Sequence, residues 1–167
     1  TKTRDRSGSA KHVGGFVGTA ENSAFTDCTY EKGTVTDNTG GKSLSGGFCG
    51  AATTGVNIRG CQVKNAAFTG LSATYVGGFI GQLGASYNGN NGVSVSQCHV
   101  EKTAVTGSTN CGGFVGVQYG PIENSYVDGG VVTAKGAHCG GFSGFVQNGD
   151  LTNCYTPQTT WVFYGEM

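Results

Sequence analysis

Along this chain, apolar and polar positions recur in a fixed order, and each cycle opens on a pair of glycines followed by a phenylalanine. The run Val13-Gly14-Gly15-Phe16-Val17-Gly18 returns as Ser45-Gly46-Gly47-Phe48-Cys49-Gly50 and as Val76-Gly77-Gly78-Phe79-Ile80-Gly81. It returns again as Cys111-Gly112-Gly113-Phe114-Val115-Gly116 and as Cys139-Gly140-Gly141-Phe142-Ser143-Gly144. The steps from Phe to Phe are 32, 31, 35 and 28 residues. Self-similarity at such a period marks a stacked-repeat architecture and outranks any local propensity.

A second landmark follows each glycine motif: Phe25-Thr26-Asp27-Cys28, Ile58-Arg59-Gly60-Cys61, Val95-Ser96-Gln97-Cys98, Ile122-Glu123-Asn124-Ser125 and Leu151-Thr152-Asn153-Cys154. Seven residues beyond each Cys or Ser stands another apolar residue: Val35, Phe68, Val105, Val132 and Trp161. Every cycle thus carries one large apolar column, one small column and one β-branched or aromatic column. Side chains alternate across a strand, so Cys28, Tyr30 and Val35 are expected inside, Thr29 and Glu31 outside. These columns predict an all-β protein, a parallel β-solenoid of about 4–5 coils with Gly-Gly-Phe corners, in which a single coil cannot bury its apolar face and the stack forms the core. Residues 1–12 are expected as a polar leader or partial cap, 13–158 as the solenoid and 159–167 as a final coil or cap. The glycine corners are expected to use positive φ and close backbone approach, with Phe anchored in the core. The outward column reads Glu31, Lys64, Glu101, Asp128, Pro157, and its opposite charges predict ion pairs between neighbouring coils along Glu31–Lys64–Glu101. The Asn- and Gly-rich stretch from Gln82 to Gly92 reads as an insertion on one side.

Composition narrows the function. The 167 residues carry no formal net charge and only 12% are charged, whereas a nucleic-acid partner calls for a basic stripe. No run of eighteen apolar residues is present, so no membrane-spanning helix is expected. Thirty-two glycines lack the every-third-residue period of collagen. With no initiator Met and no signal-peptide pattern, the sequence reads as a mature form or an excised piece.

Candidate chemistry is sparse. Cys28, Cys61, Cys98 and Cys154 share the column that Ser125 completes, Cys111 and Cys139 share another, and Cys49 stands apart. A column of mostly unpaired core thiols is expected, since free Cys behaves as a small buried hydrophobe. Local disulfides such as Cys49–Cys61, Cys98–Cys111 or Cys139–Cys154 are the alternative, and an oxidising compartment favours them. Zinc-type Cys-x-x-Cys or His-x-x-x-His pairs are missing, as is the calcium-binding Gly-Gly-x-Gly-x-Asp repeat, so neither metal nor cofactor is expected. His12, His99 and His138 read as separate surface or edge residues. Carboxylates are scattered, and no acid/base or nucleophile constellation stands out, so no enzymatic activity is expected. Two outward columns invite a binding role. Tyr126 and Tyr155 are expected to stack side by side, where aromatics can hold a sugar ring. Thr36, Thr69, Thr106 and Thr133 form a ladder of the kind that suits ice, although its flanking column, Thr34, Ala67, Ala104, Val131, is incomplete.

The combination Cys111-Gly112-Gly113-Phe114-Val115-Gly116, Ile122-Glu123-Asn124-Ser125-Tyr126-Val127 and Val132 resembles the GLUG-type repeats of bacterial surface proteins, over about residues 13–156. That resemblance implies a non-catalytic module of a secreted or cell-surface bacterial protein, found among adhesins and some IgA-cleaving metallopeptidases. The expected partners are glycans or proteins of a host or neighbouring cell, with flanking domains in a longer chain. An inert stalk or spacer, and a stand-alone polysaccharide- or ice-binding solenoid, are the alternatives. The chain departs from the family pattern in its Cys content and in the uniform Phe of its corners.

Overall fold

The computed structural model describes residues 12–37, 43–85, 91–157 and the backbone of 160–163. Among the described residues every regular element is a strand. The chain is an all-β parallel solenoid whose strands fall into four sheets. The first sheet stacks His12–Gly14, Leu44–Gly46, Tyr75–Gly77, Asn110–Gly112 and Cys139–Gly140. The second stacks Val17–Ala20, Cys49–Ala52, Ile80–Leu83, Val115–Gln118 and Ser143–Val146. The third stacks Ala24–Thr26, Asn57–Arg59, Ser94–Ser96, Ile122–Glu123 and Leu151–Thr152. The fourth holds Thr29–Glu31 and Thr34–Thr36, then Gln62–Lys64 and Ala67–Gly70, then the long strands His99–Gly107 and Tyr126–Ala134, and last Thr160–Phe163.

The register is the one that the repeats predict. Phe25, Ile58, Val95, Ile122 and Leu151 lie opposite one another on successive strands, as do Val35, Phe68, Val105, Val132 and Trp161. Between these columns the corner phenylalanines form a continuous ring stack. The centroid spacings are 4.8 Å for Phe16–Phe48, 5.1 Å for Phe48–Phe79, 4.8 Å for Phe79–Phe114 and 4.7 Å for Phe114–Phe142. Phe48, Phe79 and Phe114 are fully buried, and each such ring contributes about 1.5–3 kcal/mol by leaving water. Phe16, expected as a core anchor, is instead 47% exposed. It rests on Phe48 on one side and on the edge of Phe25.

The corner glycines differ from expectation in one respect. None of those in the Gly-Gly pairs has positive φ; close approach alone selects them. A Cβ on Gly47 would stand 2.1 Å from the Gly78 carbonyl oxygen, and one on Gly78 would stand 2.1 Å from that of Gly113. Each corner backbone rests directly on the next. Left-handed residues stand elsewhere, in two columns. Asp27, Gly60, Gln97, Asn124 and Asn153, at φ of 54°, 65°, 55°, 49° and 52°, precede the small column; Lys32, Asn65, Lys102 and Gly129, at 54°, 50°, 47° and 67°, follow it by four positions. Asn, Asp and Gly tolerate this region, while a longer side chain there costs about 1–2 kcal/mol.

The expected insertion begins later than Gln82, because Gln82 and Leu83 complete the strand Ile80–Leu83 and Leu83 is buried. Residues 86–90 of that stretch lie outside the described residues, as do 1–11 of the expected leader and 158–159 and 164–167 of the expected tail. Within the tail, Thr160–Phe163 pairs in parallel with Val131–Ala134.

Candidate functional site

The left-handed column before each Cys or Ser turns the chain from the third sheet to the fourth. Side chains at this corner pair across coils: Arg59 Nε donates to Gln97 Oε1 at 2.9 Å, and Asn153 Nδ2 donates to Asn124 Oδ1 at 3.1 Å. The small residue then points inward, and the residue after it points out. The outward positions are Thr29, Gln62, His99, Tyr126 and Tyr155, in register.

Three of these form an aromatic rail. The His99 ring lies 4.8 Å from that of Tyr126 at an interplanar angle of 1°, and Tyr126 lies 5.2 Å from Tyr155 at 14°. The expected pairing of Tyr126 with Tyr155 is therefore present, and His99, read from the sequence as an isolated histidine, belongs to the same column. Its position was legible: it follows Cys98 as Tyr126 follows Ser125. The rings spend their faces on one another. What the rail offers is a row of ring edges and phenol tips, together with Tyr155, which is 57% exposed.

Beside the rail runs the charged column. Glu101 receives His99 Nε2 at 3.2 Å on one oxygen and Lys64 Nζ at 3.6 Å on the other. The expected Glu31–Lys64 pair is replaced: Glu31 lies opposite Lys64 in register, but its carboxylate meets Lys32 at 3.6 Å on the exposed end of the face. Asp128 lies opposite Glu101. Burial pushes the His99 pKa down, with Lys64 adding to that and Glu101 opposing it. Burial also raises the Tyr126 phenol, helped by Glu101, Tyr155 and Asp128.

The threonine ladder stands on the other half of the fourth sheet. Thr36, Thr69, Thr106 and Thr133 are in register and half-buried, and Val162 takes the next position. Left-handed Lys102 and Gly129 separate this ladder from the aromatic rail on the long strands.

All seven cysteines are unpaired. In the small column each polar tip bonds to the backbone: Cys98 Sγ donates to the Ser96 carbonyl at 3.2 Å, and Ser125 Oγ donates to that of Glu123 at 2.8 Å. Among the described residues no group of three or more His, Cys, Asp or Glu side chains is placed to hold a metal ion. Another imidazole contact lies just before the last strand of the first sheet, where His138 Nδ1 meets the buried Asn110 Oδ1 at 2.7 Å and the ring packs on Phe145. His12 bonds Thr19 Oγ1 through Nδ1 at 2.6 Å. Comparison of the chain with protein-family models, curated proteins and solved structures gives no match.

Proposed function

We propose that this chain is a non-catalytic recognition module of a secreted or cell-surface bacterial protein, and that it holds a glycan of a host or neighbouring cell against the rail of His99, Tyr126 and Tyr155. The observation that carries the reading is Tyr155, 57% exposed and stacked on Tyr126. A sugar ring packs its C–H face on such a platform, and the rigid support beneath it limits the entropy lost on binding. Glu101, Asp128 and the phenol tips lie along the same face and supply acceptors and donors for hydroxyl groups. The GLUG-type likeness of the repeats supports the surface location.

The test is a glycan array followed by titration of the best ligand. Tyr155→Ala is expected to weaken binding about tenfold or more with the melting temperature unchanged, because Tyr155 is exposed. Tyr126→Ala is expected to weaken it as well, by removing the support. Folded protein that binds no glycan, or binding indifferent to Tyr155→Ala, would reject the reading and leave the solenoid as a spacer.

A further inference from the structure

The small column brings three thiols together on successive coils. Thr29 lies opposite Gln62 and Gln62 opposite His99, so the residues just before them, Cys28, Cys61 and Cys98, face one another inside the stack. Cys61 and Cys98 are fully buried, and Cys28 is half-buried at the end of the row. The Cys28 N–H reaches Cys61 Sγ at 3.4 Å. A second such pair stands in the first sheet, where Cys111, fully buried, lies opposite the half-buried Cys139.

Parallel neighbours in register are a poor geometry for a disulfide. The bond needs Cβ atoms about 3.8 Å apart, whereas neighbouring strands hold equivalent atoms about 4.8 Å apart. The same spacing fits a different bridge. With metal–thiolate bonds of about 2.3 Å, a linear sulfur–metal–sulfur unit spans about twice that length, close to the coil repeat. Soft thiolates select soft ions, and an ion content with two ligands in line is the kind such a column holds.

We propose that the two thiol pairs, Cys28–Cys61 and Cys111–Cys139, each bind one soft monovalent cation of the copper(I) or silver(I) class in linear two-coordinate geometry. Each ion displaces the two thiol protons to solvent, forms two metal–sulfur bonds and transfers no electrons. The half-buried Cys28 and Cys139 are the points of entry.

The experiment is titration of the reduced chain with silver(I) under argon, followed by native mass spectrometry and ultraviolet thiolate-to-metal absorption. One ion is expected at each pair. Cys61→Ser and Cys139→Ser are each expected to remove one ion, while Cys154→Ser, whose column neighbour is Ser125, removes none. The serine variants are expected to fold, because Ser125 and Ser45 already occupy the same two columns. Silver content unchanged in Cys61→Ser and Cys139→Ser, the same loss in Cys154→Ser, or loss of two hydrogens on air oxidation to a disulfide within either pair would overturn the proposal.

Discussion

The backbone N–H of Cys98 donates to the Ser125 hydroxyl across 3.1 Å, from one coil to the next. Cys28 makes the corresponding bond to Cys61 Sγ at 3.4 Å. At these corners the left-handed residue turns the following N–H along the stack, and a side-chain oxygen or sulfur on the next coil receives it. The column therefore requires a side chain that is small and also tipped with an acceptor. Ser125→Ala leaves the Cys98 N–H buried without this partner and is expected to cost about 1–3 kcal/mol. Ser125→Cys keeps an acceptor and is expected to cost less than Ser125→Ala. Urea unfolding of the two variants measures the difference.

Gly78 has a backbone oxygen, that of Gly113, where its Cβ would be, at 2.1 Å. The obstructing atom is main chain and belongs to the adjoining corner, so it has no side-chain rotation by which to yield. Gly78→Ala is expected to destabilise the fold by more than about 4 kcal/mol, read as loss of soluble protein or of the cooperative thermal transition.

Lys102 is exposed and left-handed at φ of 47°, in the column where Gly129 stands one coil later. Replacing it by glycine relieves a strain of about 1–2 kcal/mol and adds freedom to the unfolded chain that offsets part of it. Lys102→Gly is expected to raise stability by about 0.5–1 kcal/mol, measured as a higher urea midpoint with an unchanged slope.

His99 gives the fold a pH dependence. Burial lowers its pKa below the ordinary 6.5, so between those two values the unfolded chain binds more protons than the folded one. Stability is then fully present above about pH 7 and falls as pH drops through 6.5 towards the lowered value. His12, also lowered by burial, acts in the same direction. His99→Gln is expected to flatten the decline in melting temperature between pH 7.5 and 5.

Much of this arrangement was legible because it is linear in the sequence. A repeat of fixed order and a strand period of two suffice to place Val35 opposite Phe68 and Tyr126 opposite Tyr155. The left-handed corners were not, since Asp27, Gly60, Gln97, Asn124 and Asn153 share a backbone state and no single side-chain type. The Gly-Gly pairs misled for a related reason: glycine serves both positive φ and close approach, and only the distance between backbones distinguishes them. His99 was missed because histidine was weighed by its chemistry rather than by its offset from Cys98. That the tyrosine rings meet face to face, and so turn one face each toward the other, depends on rotamers that spacing alone leaves open. Phe16 and Phe142 each have a phenylalanine of their column on one side only, yet Phe16 is 47% exposed and Phe142 is 8% exposed, a difference that position in the column does not convey.

The phenylalanine stack also sets how the protein bears load. Phe48, Phe79 and Phe114 are each held by the rings above and below, while Phe16 and Phe142 each have a single partner in the stack. Tension applied along the stacking axis pulls the strands of successive coils apart across their hydrogen bonds, and it acts first where a ring has one neighbour. Coils are then expected to peel singly from an end, each releasing its repeat of slack chain at up to about 3.3–3.6 Å per residue before the next is loaded. A rod built this way dissipates a sudden pull in steps and leaves the coils beyond the peeling front folded.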